Sequence, residues 1–148
     1  MTRPMQIALD ETAETRPASW LMLARLCLAA VFLYSGATKL VFWSAGLEEF
    51  AAIGLPMPAL ALTVTVALQL SAGLALAIGW QTKLAALALA AFTILATIVG
   101  HPFWAFEGAD VHRQLTTALE HLAIVGGLVA VAAAGPRRSS HRHREHAL

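Results

Sequence analysis

Cysteine is nearly absent from this 148-residue chain, with Cys27 alone, which excludes an internal disulfide and the dithiol chemistry of paired-cysteine oxidases. Within an apolar helix a lone Cys is expected to pack as a small hydrophobe. Charge is scarce too: Asp, Glu, Lys and Arg make up 13% of residues, against about 25% in a soluble globular domain. No phosphate loop, Ser/His/Asp arrangement, paired-Cys set or haem-attachment motif occurs, so the chain carries no self-contained catalytic motif. An oxidoreductase role would need a borrowed cofactor or partner protein. Nothing in the sequence supports a nucleic-acid partner.

What is abundant is apolar side chain, at 58% of residues. It falls into long stretches running from Trp20 to Phe42, from Ala59 to Gly79, from Leu84 to Gly100 and from Leu115 to Ala134. Each approaches or exceeds the roughly 20 residues that a helix needs to cross about 30 Å of hydrocarbon. The expected fold is an all-α integral membrane four-helix bundle. Trp20, Trp43, Trp80 and Trp104 stand near the ends of these helices, where amphipathic rings anchor at the headgroups. Gly79 to Lys83 is a tight turn, making the second and third spans antiparallel neighbours. Ala45 to Pro58 reads as a short surface helix followed by the breakers Gly54, Pro56 and Pro58.

Three segments follow from this pattern: a polar N-terminal segment over 1–19, a transmembrane domain over 20–136, and a basic, His-rich tail over 137–148, expected to be disordered. The first span is expected to be retained, because it continues past a signal-like core at Leu26 to Leu33. Arg3, Arg16, Lys83, Arg137, Arg138, Arg142 and Arg144 share one side if both termini lie there, whereas the opposite loops hold Glu48, Glu49, Glu107 and Asp110 against Arg113. The excess of Lys and Arg places both termini in the cytoplasm.

Small residues at helix contacts let membrane helices approach. Ser71, Ala75 and Gly79, then Ala123 and Gly127, recur at intervals of four, and Gly126 with Gly127 reads as a tight crossing point. Ionisable groups inside the bilayer are costly and so are functional candidates: Arg25, Lys39, His101, Glu120 and His121, joined by neutral Gln69. Arg25 is close enough to Trp20 to reach the headgroups. Phe32, Gly36 and Lys39 share one helical face, and Glu120 shares another with Ala123, Ile124 and Gly127. An ion pair between Lys39 and Glu120 is the simplest way to hold both charges in the membrane. His101 and His121 fall at the same outer depth, so Lys39, His101, Glu120 and His121 form the expected polar cluster, with Arg25 and Gln69 as secondary positions. No ligand spacing on a single element supports a metal there, and the His-rich tail reads as an anchor beside anionic lipid.

The run Arg25 through Phe32, Ser35, Gly36 and Lys39, the loop Phe50 to Pro56, then Gly73 and Gly79, His101 to Trp104, and Ala123 to Gly127 together resemble the DoxX family of small bacterial inner-membrane proteins. The resemblance extends from about Ala24 to Pro136. It implies a four-helix protein of the bacterial cytoplasmic membrane associated with respiratory or redox functions. Relatives include a subunit of an archaeal terminal quinol oxidase and parts of thiosulfate-oxidising and oxidative-stress assemblies. Arg25, Lys39 and His101 match the family's polar positions. Two positions depart: Gln69 stands where many relatives have an acid, and Glu120 with His121 replaces a Lys and Asn.

The leading expectation is an accessory or quinone-interacting component of a redox system, with no intrinsic cofactor. In that reading His101 and Lys39 offer donors to a quinone carbonyl, and Phe103, Trp104 and Phe106 offer apolar surface. The alternatives are a small proton-linked transporter or channel, with Gln69 midway along its path, and a membrane scaffold or assembly factor. The expected partners are the lipid bilayer and redox-complex subunits.

Overall fold

In a computed structural model of the chain, the backbone is described over residues 3–134 and side chains over 19–134; the tail over 137–148 lies outside the described residues. Five α-helices follow in order: α1 Arg3–Val41, α2 Trp43–Ala52, α3 Pro58–Ile78, α4 Thr82–Gly100 and α5 Ala109–Ala133, with a 3-10 turn at Phe103–Ala105 before α5. Among the described residues four segments are long and apolar enough to cross a membrane: Ser19–Val41, Pro58–Ile78, Thr82–Ala105 and Ala109–Ala133. Hydrocarbon offers no hydrogen bonds, so spans that satisfy their own backbone are what such a composition permits.

Local chemistry sets the helix ends. Pro58 opens α3, where its missing N–H is no loss, and Gly79 closes it in the left-handed region at φ +79°. There Trp80 N–H donates to Ala75 O at 2.9 Å, tying off an end carbonyl and turning the chain within three residues into α4. α4 stops at His101 because Pro102 disfavours helical backbone before it.

The spans form a ring. α1 packs on α3, α3 on α4, α4 on α5 and α5 back on α1. The α1–α3 seam is tight: a Cβ at Gly36 would lie 2.9 Å from Leu70, one at Gly73 would lie 3.2 Å from Leu33, and one at Gly79 would lie 2.9 Å from Arg25. These pairs descend α1 as they ascend α3, which makes the helices antiparallel. Leu76, Leu89 and Leu128 are fully buried and fill the centre, while Leu62 is fully buried against Gly46 of α2.

Three local expectations meet a different arrangement. Of the stripe Ser71, Ala75 and Gly79, Ala75 is buried in the core and Gly79 meets Arg25 of α1, but Ser71 lies off the buried face, which holds Leu62, Thr65, Val66, Gln69, Ala72, Gly73, Ala75 and Leu76. Ser71 points outward and donates to Ala67 O, because a hydroxyl can satisfy itself on its own helix. Of the glycine pair, Gly127 meets Leu28 at 3.3 Å whereas Gly126 faces open space, since adjacent helical positions cannot share one contact. Cys27 is exposed on the outside of α1 rather than packed inside.

Candidate functional site

The expected cluster divides between the two tightly packed helix pairs. On α1 and α3, Lys39 Nζ donates to Ser35 Oγ at 3.0 Å, and Gln69 Nε2 donates to the same oxygen at 3.2 Å. Helical side chains lean toward the N-terminus, so Lys39 reaches back one turn into the bundle. Gln69 is only 4% exposed, and its Oε1 is buried without a hydrogen-bond partner. A short polar chain thus runs from Lys39 through Ser35 to an open acceptor on α3. Lys39 also lines a cavity of about 170 Å³ with Thr38, Phe42, Ala45, Gly46 and Glu49, where α2 folds over the end of α1.

On α4 and α5, His101 Nδ1 meets Gln114 Oε1 at 2.8 Å, and His121 Nδ1 meets Thr97 Oγ1 at 2.8 Å. The two imidazoles pack edge to face with centroids 5.2 Å apart. Hydrogen-bond logic assigns both tautomers. Gln114 Oε1 can only accept, so His101 Nδ1 carries the proton. Thr97 donates its one hydroxyl proton to Thr93 O at 2.7 Å, so it accepts from His121 Nδ1. Each neutral ring therefore keeps a lone pair on Nε2. The sequence suggested that His101 would donate; the arrangement makes both neutral histidines acceptors. Phe103 and Trp104 stand beside them, ring to ring at 5.1 Å.

Lys39 and Glu120 do not pair. Among the described residues Arg113 pairs with Asp110, at 3.1 Å on the surface. Lys39 points at Ser35 on the α1–α3 seam, and Glu120 is exposed on the outer face of α5. Rotation of α5 separates them: Gly127 is turned toward Leu28 of α1, and Glu120 is turned outward. Arg25 stays at the opposite end of the bundle, its guanidinium lying on the Gly79 cap. The carbonyl end of α3 favours a cation there, although Arg25 Nε is buried without a partner. Ser35, Thr97 and Gln114 are the polar partners that sequence reasoning passed over.

A ring of four spans with polar side chains gathered near one end defines a small multi-pass membrane protein. The family model for DoxX matches residues 20–102, more than half of the chain, and the chain belongs to the DoxX family. It is similar to the inner membrane protein YphA of Escherichia coli (strain K12), at 25% identity over 116 residues, covering 78% of this chain and 83% of that protein. It is an inner-membrane protein. No solved structure matches it.

Proposed function

We propose that this protein is an accessory component of a membrane redox system and contacts a quinone-like headgroup at the α4–α5 histidine pair. The observation that carries the reading is the convergence of His101 and His121, each fixed through Nδ1, beside the Phe103 and Trp104 rings. An amphipathic ring at the membrane interface needs such a combination of apolar surface and a few oriented polar atoms. Two free Nε2 acceptors suit the hydroxyl groups of the reduced headgroup better than the carbonyls of the oxidised one. The protein supplies the orientation; electrons would pass through the quinone and a partner subunit.

The purified protein is expected to carry quinone, and added quinol is expected to raise its melting temperature more than added quinone does. His101→Ala should abolish the shift, while Lys39→Met, in the other helix pair, should leave it. If no quinone co-purifies and neither form shifts the transition, the binding role fails and a scaffold or assembly role takes its place.

The Lys and Arg distribution further supports an orientation with both termini cytoplasmic, so that α2 and the histidine pair lie toward the periplasm. A periplasm-active reporter fused after Leu148 should give no signal, and one inserted at Gly54 should give a strong one. The reverse pattern would move the histidine pair to the cytoplasmic leaflet.

A further inference from the structure

Lys39 and Glu49 line the same cavity of about 170 Å³, where α2 folds over the end of α1. Gly46 brings them there: it is buried, and a Cβ on it would lie 3.1 Å from Leu62 of α3, so only glycine lets α2 seat this closely. The two opposite charges share the cavity, yet no ion pair joins them among the described residues. Both remain open to a third group. Lys39 Nζ commits one N–H to Ser35 Oγ at 3.0 Å, which leaves two more to donate. Thr38, also on the cavity wall, donates its hydroxyl proton to Tyr34 O at 2.8 Å. Toward a ligand it can therefore only accept, as the Glu49 carboxylate does. The start of α2 adds to the positive side, since Phe42 gives it no side-chain cap and its first turn holds no acid, leaving the helix dipole uncompensated beside Lys39.

We propose that this cavity binds the headgroup of a phospholipid whose phosphate is followed by a primary ammonium, as in phosphatidylethanolamine, with the phosphate on Lys39 and the ammonium on Glu49. A plain anion would be repelled by Glu49, and a plain cation by Lys39 and the start of α2. A zwitterion answers both. The ammonium must be primary, because a quaternary one has no N–H to give to a carboxylate or to the Thr38 oxygen. Depth and surroundings point to a lipid as its source. The first span ends at Val41, which puts the cavity at headgroup level, and Leu40, Val41 and Phe42 beside it are exposed apolar side chains. Acyl chains cover such a rim, whereas a small soluble zwitterion would leave it bare.

Native mass spectrometry of the full chain in detergent tests the site, with phosphatidylethanolamine, phosphatidylcholine and phosphatidylglycerol of identical acyl chains added in turn. Phosphatidylethanolamine is expected to bind about fivefold more tightly than phosphatidylcholine. Glu49→Gln should remove most of that preference and strengthen phosphatidylglycerol, whose phosphate no longer meets a like charge. Lys39→Met should weaken all three lipids, since each carries the phosphate. Equal binding of phosphatidylethanolamine and phosphatidylcholine overturns the proposal, and so does a preference that Glu49→Gln leaves unchanged. Phosphatidylglycerol bound most tightly by the parent protein would make this a plain anion site and overturn it as well. Free phosphoethanolamine is the control for the source. Displacement of the lipid by an equal concentration of it would assign the cavity to a soluble ligand and overturn the lipid assignment. Glu49 is exposed, so the Glu49→Gln result decides the matter even if Lys39→Met does not accumulate. None of these readouts involves quinone, and the outcome is independent of the histidine site.

Discussion

Ser35→Ala is expected to destabilise the protein by about 1 to 3 kcal/mol, because its hydroxyl serves two donors and a buried polar group left without its partner costs about that much. Lys39 Nζ and Gln69 Nε2 both donate to Ser35 Oγ, at 3.0 and 3.2 Å. The two donors do not lose equally. Lys39 lines an open cavity and can turn toward water or a headgroup, whereas Gln69, buried on the seam, has nowhere to turn. Adding Gln69→Leu to Ser35→Ala should therefore recover most of the loss, since Leu removes both the stranded Nε2 and the unpaired Oε1 of Gln69. Gln69→Leu alone should be neutral or stabilising, as apolar replacement of an incompletely satisfied buried group often is. Unfolding in detergent, followed by circular dichroism across the full cycle, measures these terms. A Ser35→Ala variant within about 0.5 kcal/mol of the parent would mean that the serine is not the shared acceptor.

The spans were legible because hydrocarbon imposes one demand over a long window: about 20 apolar residues and no unpaired backbone. The pairing of polar side chains was not. Depth can be read by counting residues along a helix, but which helix faces which depends on rotation about each axis and on the order of the ring. Lys39 and Glu120 agree in depth and still miss each other, because α1 packs mainly on α3 and meets α5 through Leu28 and Gly127.

One signal was present and unused. Thr93, Thr97 and His101 recur every four residues in an otherwise apolar α4, a polar row along one helical face. On α5, Gln114 and His121 stand seven apart on a common face. Two such rows on consecutive antiparallel helices point at each other, and the hydrogen bonds of His101 with Gln114 and of His121 with Thr97 are that meeting. Ser35 carried a weaker signal, one turn before Lys39, where a reaching-back ammonium finds its acceptor. Gln69 was visible as a polar residue in the membrane, but its open Oε1 is a property of packing that no spacing encodes.

Gly36→Ile should be the most damaging single substitution on the α1–α3 seam, lowering stability by about 3 kcal/mol or more. A Cβ at Gly36 would lie 2.9 Å from Leu70 Cδ2, 3.0 Å from its Cγ and 3.2 Å from Gln69 Cβ. The Leu70 tip can rotate away. Gln69 Cβ cannot, because it moves only with the α3 backbone, so the helices must separate. That movement also pulls Ser35 away from Gln69, breaking the 3.2 Å hydrogen bond and adding a polar loss to the steric one. Gly36→Ala, which adds the Cβ alone, should cost about 1 to 2 kcal/mol by the same clash. Gly126→Ala is the matched comparison, since its Cβ would enter open space and the change should alter fold stability by no more than about 1 kcal/mol. Equal melting temperatures for Gly36→Ile and Gly126→Ala would show that α1 and α3 are not held at the close approach their glycines permit.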